Sequence, residues 1–327
     1  MHPKYSNKRI TCALVFACAI AAGFFSKSLF GNNQDISYKI IPNIFYAGTE
    51  NSRQSLDLYL PVKTRKSHGE NTPLPVVVWI HGGGWRNGSK ESAKSPHLLP
   101  EILSSGRYAG ASINYRLSGE EKWPAQIHDC KAAIRWIRAN AVQHNLDKER
   151  IAAWGSSAGG HLVSMLGTTN GLAEYEGNIG KWHKFSSNVQ AVINYYGPSA
   201  LLLMDDYPSR IVHSAPNSPE SQLLGKPILT LPTLAKNASP FHQIVKGHPP
   251  FLNFHGTKDP LVPHNQSLIL HQKLISYGNS STLISVKERG HSMPKSFTGK
   301  WVLPFLDYHF HKTGKEFPNR EIKIMDP

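Results

Sequence analysis

Cysteine is scarce in this chain, with three among 327 residues, and Cys12 and Cys18 both fall near its start. Cys130 stands alone in the body, so no internal disulfide can staple it and packing must hold the fold. Also missing are any C-x-x-C pair, H-E-x-x-H, P-loop or G-x-G-x-x-G, and with them a motif for metal, phosphate or dinucleotide chemistry. No cofactor is expected. Long apolar runs are lacking apart from Ile10–Phe25, which excludes a multi-pass membrane protein. Gly-X-Y periods and heptads are absent, and 40% hydrophobic content is too high for a disordered chain. Acids are outnumbered, 22 Asp+Glu against 36 Lys+Arg, for a net +14 with His neutral. No Lys/Arg block is dense enough for a nucleic-acid arm, so the surplus reads as a basic surface and no nucleic-acid partner is expected.

Part of that surplus lies at the N-terminus. Lys4, Lys8 and Arg9 precede the apolar run Ile10–Phe25, and Lys27 follows it. Taking those four bases away leaves +10 for the remainder. A basic start, a short apolar core and small residues at Ala19, Ala21 and Gly23 form the pattern of a secretory signal over residues 1–31. The rival is an uncleaved anchor, the one circumstance in which a membrane association is expected. Sixteen positions fall short of the roughly 20 that a spanning helix needs, so cleavage is preferred and a secreted or periplasmic location is expected.

Residues 32–327 alternate between two periods. Ile36–Tyr46 and Gln54–Leu60 read as edge strands; Leu56, Leu58 and Leu60 alternate with polar positions. Short apolar runs then recur at Pro75–Ile80, Tyr108–Asn114, Arg150–Trp154, Val189–Tyr196, Phe251–Phe254 and Thr282–Val286. Helical patterns separate several of them, the clearest over Ala125–Val142 with Ile127, Ala132, Ile134, Ile137 and Val142 on one stripe. Eight strands alternating with helices predict one α/β domain, a mostly parallel sheet covered on both faces. The span 198–246, rich in proline, breaks the rhythm and reads as a cap-like excursion over the strand ends.

The chemistry concentrates at strand ends. Gly155-Ser156-Ser157-Ala158-Gly159 follows one strand and opens a helical run, the context G-x-S-x-G requires to lift Ser157 Oγ above a sheet. By itself this motif in a glycine-rich chain is an ordinary turn. His81-Gly82-Gly83-Gly84-Trp85 follows another buried run, and three glycines free the backbone to aim N–H groups into a cleft. Gly83 and Gly84, joined by Ala158, are the candidate oxyanion donors; His81 reads as a brace. A serine nucleophile needs a base and the base an orienting acid. Asp259 falls just beyond Phe251–Phe254 and His291 just beyond Thr282–Val286, the chain order Ser, acid, His. Trp85 and Tyr196, with Tyr195, Asp205 and Tyr207, are weaker candidates for lining a substrate pocket, since aromatics at strand ends are also ordinary core. Asp129 with Arg116 reads as a structural ion pair, and His128, His161 and His255 as scaffold.

Over about residues 50–310 the chain resembles α/β-hydrolase-fold serine esterases of the hormone-sensitive-lipase-like type, most of all the bacterial acetylxylan and feruloyl esterase branch. The likeness is carried by HGGGW at 81–85, NYRL at 114–117, PAQIHD at 124–129, GSSAGGHL at 155–162, SP at 239–240, HGTKDPLVP at 255–263 and GH at 290–291. It implies Ser157 as nucleophile, Asp259 as orienting acid, His291 as base, and no metal. Met293-Pro294 departs from the pattern, where a helical continuation is usual. The expected activity is hydrolysis of short acyl or aryl esters, with a small ester or acylated carbohydrate as substrate. An aryl-formamidase, a short-chain lipase or a peptidase of the prolyl-oligopeptidase kind are alternatives, the last lacking its propeller. A catalytically silent binding relative is the non-enzyme alternative. Oligomeric state is not readable.

Overall fold

The computed structural model describes residues 37–62 and 72–326. All of these residues belong to one unit, Gln34–Pro327. The expected signal segment, residues 1–31, lies outside the described residues.

Among the described residues nine strands form one sheet: β1 Tyr38–Phe45, β2 Ser55–Pro61, β3 Leu74–Ile80, β4 Ala109–Ile113, β5 Leu146–Ser156, β6 Ala191–Tyr195, β7 Phe251–Gly256, β8 Ser281–Lys287 and β9 Glu321–Met325. Their order across the sheet is β1-β2-β4-β3-β5-β6-β7-β8-β9. β1 and β2 pair antiparallel, as does β2 with β4, and every later pairing is parallel. The α-helices are α1 Leu99–Leu103, α2 Ala125–Ala139, α3 Ala158–Thr168, α4 Pro219–Leu224, α5 Pro232–Asn237, α6 Asn265–Ser276 and α7 Leu303–Leu306.

Two features correct the sequence reading. The expected eight strands are nine: β9 adds to the edge beside β8, half-exposed, with only Ile322 and Ile324 as apolar signal. The helix expected to reach Val142 stops at Ala139, and Val142 is 93% exposed.

The β3 sequence shows why the sheet must be covered twice. Val76, Val78 and Ile80 pack into one apolar cluster with Ile127 and Ile134 of α2, Leu162 and Val163 of α3, and Leu270 and Leu274 of α6. Val77 and Trp79 face the other way, among Leu99 and Ile102 of α1, Phe305 and Leu306 of α7, and Phe297 and Phe310. A strand wet on one face could not afford five consecutive apolar side chains. Between β6 and β7 the excursion consists of α4, α5 and short 3-10 turns. It is pinned to the body by polar contacts: Ser199 N–H donates to Gln266 Oε1 at 2.8 Å in the interior, and Arg210 N–H to the Pro260 carbonyl at 2.7 Å nearer the surface.

Candidate active site

β5 ends at Ser156 and α3 begins at Ala158, so Ser157 is the whole of the turn between strand and helix. Its φ of 56° and ψ of −122° lie where L-residues are strained. The flanking glycines are steric requirements. A Cβ on Gly155 would stand 2.5 Å from the Gly159 carbonyl oxygen, and one on Gly159 would run into the Ile80 carbonyl oxygen. Close crossing of the turn over the end of β3 therefore leaves room for hydrogen only, and the cramped turn holds Ser157 Oγ out at the sheet's edge.

His291 follows β8, and its Nε2 lies 3.0 Å from Ser157 Oγ. Its Nδ1 lies 2.6 Å from Asp259 Oδ2, in the turn after β7. A carboxylate only accepts, so Nδ1 carries the proton and Nε2 is left to accept from the serine hydroxyl. Asp259 is itself held on both oxygens. Oδ1 accepts the N–H groups of Leu261 at 2.9 Å and Val262 at 3.0 Å, and Oδ2 also faces His255 Nε2 at 3.2 Å. Burial alone would raise its pKa; the hydrogen bonds from His255 and His291 outweigh that and hold the carboxyl well below its ordinary range. His255 is scaffold, as expected. Its Nε2 sits 2.9 Å from the Val262 carbonyl and therefore donates, while Nδ1, 2.7 Å away, takes the Ser267 hydroxyl.

The glycine loop after β3 meets the same point. A Cβ on Gly82 would sit 3.2 Å from Ser157 Cβ. Gly83 and Gly84 have φ of 110° and 59°, and neither N–H donates to a backbone acceptor among the described residues. With Ala158, at the first position of α3, they line a cavity of about 380 Å³ whose walls include Ser157, His291, Tyr196, Ile211, His213 and Glu220. His81 braces the loop: its ring stacks on Tyr115 at 4.3 Å and its Nδ1 donates to the Gly82 carbonyl at 2.7 Å. Burial lowers its pKa to about 4.

The weaker substrate candidates separate. Tyr196 lines the cavity, its ring 4.4 Å from that of His291. Burial raises its phenol to about 12. Trp85 also borders the cavity but is 1% exposed, and its indole N–H donates to His161 Nδ1 at 3.1 Å. Since an indole only donates, His161 must accept at Nδ1 and donate from Nε2 to the Ala238 carbonyl, 2.7 Å away. One neutral histidine, lowered to about 4 by burial, thus ties the glycine loop, α3 and the excursion together. Tyr195 is core, and Asp205 accepts the N–H groups of His213 and Ser214, both at 2.7 Å, as a loop organiser. Asp129, buried, and Arg116, half-buried, form the expected structural ion pair at 2.8 Å. His128 is less well provided: its buried Nε2 has no partner among the described residues. No helix continues directly from His291; helical backbone resumes at Thr298. Sequence reasoning missed His213 and Glu220, which no strand or glycine signal marks.

Fold and site together are those of an α/β hydrolase with a serine at the strand–helix elbow. Residues 56–274, about two thirds of the chain, match the BD-FAE family. The chain belongs to that family, and this segment stands among carboxylic ester hydrolases. It is similar to Esterase LipC of Mycobacterium tuberculosis, 29% identical over 66% of this chain and 52% of the relative. This chain thus spans about half the length of that curated relative. Among solved structures it is similar to a truncated carbohydrate esterase from gut microbiota, with 31% identity, TM-score 0.74, and coverage of 84% of this chain and 96% of that one. A bifunctional GH43-CE protein of Bacteroides eggerthii matches at 33% identity and TM-score 0.73, over 84% of this chain and 38% of the other.

Proposed function

We propose that the protein is an exported serine esterase that cleaves short-chain acyl esters, acetyl above all, on a carbohydrate. The observation that carries the reading is the unbroken series Ser157 Oγ, His291 Nε2, His291 Nδ1, Asp259 Oδ2, with steps of 3.0 and 2.6 Å between residues. In this reading Ser157 Oγ attacks the ester carbonyl carbon as its proton passes to His291 Nε2. The carbonyl electron pair moves onto oxygen, which the N–H groups of Gly83, Gly84 and Ala158 stabilise. Collapse of that intermediate expels the alcohol, which takes the proton back from His291 and leaves the acyl group on Ser157. Water, deprotonated by the same nitrogen, then releases the carboxylic acid and restores the serine. Asp259, kept ionised, orients His291 and stabilises its charged form.

The short-chain part rests on the cavity's size. Ile211 and Pro219 of the excursion line a cavity of about 380 Å³, near the small end for ligand sites. The excursion's exposed large apolar residues, Val212, Leu229 and Val245, are scattered rather than gathered into a patch for an oil interface. Turnover is expected to fall steeply from 4-nitrophenyl acetate through butyrate to octanoate, with acetylated xylan deacetylated. Each refused methylene is worth roughly 1–3 kcal/mol. Faster octanoate cleavage, or a rate jump above the substrate's solubility limit, would leave a lipase instead. The carbohydrate part draws on the named esterase neighbours. Export draws on Lys4, Lys8, Arg9 and the run Ile10–Phe25. N-terminal sequencing of native protein should find a start near residues 20–32; Met1 on membrane-bound material would favour the anchor.

A further inference from the structure

The excursion's wall of the cavity holds a hydrogen-bonded His–Glu pair that the reaction above does not use. Glu220 and His213 both line the cavity, and each is 2% exposed. Glu220 Oε1 lies 2.9 Å from His213 Nδ1. Glu220 Oε2 is buried and has no hydrogen-bond partner among the described residues. A carboxylate with one oxygen unpaired is a costly thing to bury, and Oε2 sits in a side chain that walls the reaction cavity.

The surroundings fix this carboxylate against the reacting centre. Ser218 caps α4, its side chain accepting the Ser221 N–H at 3.0 Å, and so sets Pro219 and Glu220 at the helix start. Pro219 packs on the glycine loop, since a Cβ on Gly84 would stand 3.4 Å from Pro219 Cβ. On the other side, His213 Nε2 lies 3.2 Å from Ser209 Oγ. That hydroxyl reaches the carbonyls of Pro260 and Leu261, at 3.3 and 3.2 Å, in the turn that carries Asp259. The pair therefore bridges the oxyanion loop and the acid loop, and Oε2 is the position in this frame still lacking a donor.

We propose that Glu220 determines specificity by accepting a hydrogen bond, through Oε2, from a hydroxyl on the alcohol half of the ester, so that esters of polyhydroxy alcohols are selected. An acetyl group carries no donor, which leaves the alcohol half to supply it. A hydroxyl donating to a carboxylate makes a charge-assisted bond, stronger than one to a neutral acceptor. His213 is the positioning residue, holding Oε1 and leaving Oε2 the unpaired acceptor of a side chain that lines the cavity. The inference rests on the ester-hydrolysis reading above.

The test pairs a deletion in the substrate with one in the protein. Full-length wild-type protein and Glu220→Gln are compared on methyl 2-O-acetyl-β-xylopyranoside and its 3- and 4-deoxy counterparts, with 4-nitrophenyl acetate reporting ester cleavage itself. In the Glu220→Gln protein the one side-chain oxygen is taken by His213, leaving an NH2 group where the acceptor was. Wild type should favour the hydroxylated ester over one deoxy form by at least tenfold in kcat/KM, mostly through KM, and Glu220→Gln should erase most of that preference. Thermal melts of both proteins exclude a general loss of fold as its cause. A preference that survives in Glu220→Gln, or a wild type indifferent to both hydroxyls while cleaving all the esters, overturns the role of Glu220 and leaves the esterase reading standing. Failure to cleave any of them, 4-nitrophenyl acetate included, removes the esterase reading and this inference with it.

Discussion

Ser156 and Ser157 are neighbours with the same hydroxyl, and backbone geometry separates them. Ser156 is the last residue of β5, within the strand; Ser157 occupies the strained turn and meets His291. Ser157→Ala is expected to lower kcat on 4-nitrophenyl acetate by roughly 10⁴-fold or more with the melting temperature little changed, because nucleophile and base act as a unit. Ser156→Ala should keep most of the activity. Near-wild-type turnover in Ser157→Ala beside an inactive Ser156→Ala would move the nucleophile. These positions were legible in the sequence because glycine at 155 and 159 leaves few alternatives: a side chain at either collides with backbone. Trp85 was harder to place. A tryptophan after a glycine loop fits a pocket wall or a core equally well, and its bond to His161 spans 76 positions.

At the scale of elements, continuous apolar runs announced the six strands from β3 to β8, and alternation announced β2. The acid and the base were found by following β7 and β8 to their ends, where the sheet opens its crevice. β9 escaped notice because a half-exposed edge strand has little to bury, and Glu321, Lys323 and Met325 point no face inward. The excursion was legible as an interruption, since its prolines break both periods, but its internal pairing was not. His213 and Glu220 are seven positions apart, a spacing that would share a face only if one helix carried both, whereas His213 lies on a loop and Glu220 at a helix start. Their meeting depends on Asp205 holding the backbone at 213 and 214 and on Ser218 capping α4. Pairings of this kind arise from tertiary packing, where sequence patterns carry the least information.

The whole molecule lacks disulfides in its described body and is held by two apolar clusters on opposite faces of one sheet. Its response to acid therefore falls to buried titratable groups. His81, His161, His264 and His309 are each lowered to about 4, burial being the first cause in every case. In the unfolded chain they titrate near 6.5. Between those values the unfolded state binds more protons, so stability rises with pH there and is lost as pH falls from about 6.5 toward 4. For the almost fully buried His81 and His161 the loss is on the order of 3 kcal/mol each across the window. Asp259, held below its ordinary range, adds a second stage: its contribution is whole above the unfolded carboxylate value near 3.9 and vanishes as pH falls further. Calorimetry from pH 8 to pH 4 should show a melting temperature nearly level above pH 7 and falling steadily below 6.5. Replacing His161 with Gln should flatten part of that decline even if it lowers stability at pH 8, because Gln does not titrate. A melting temperature that holds between pH 6.5 and 4 in wild type would mean that these histidines accept protons in the folded protein, and that the neutral His161 joining the glycine loop, α3 and the excursion is wrongly assigned.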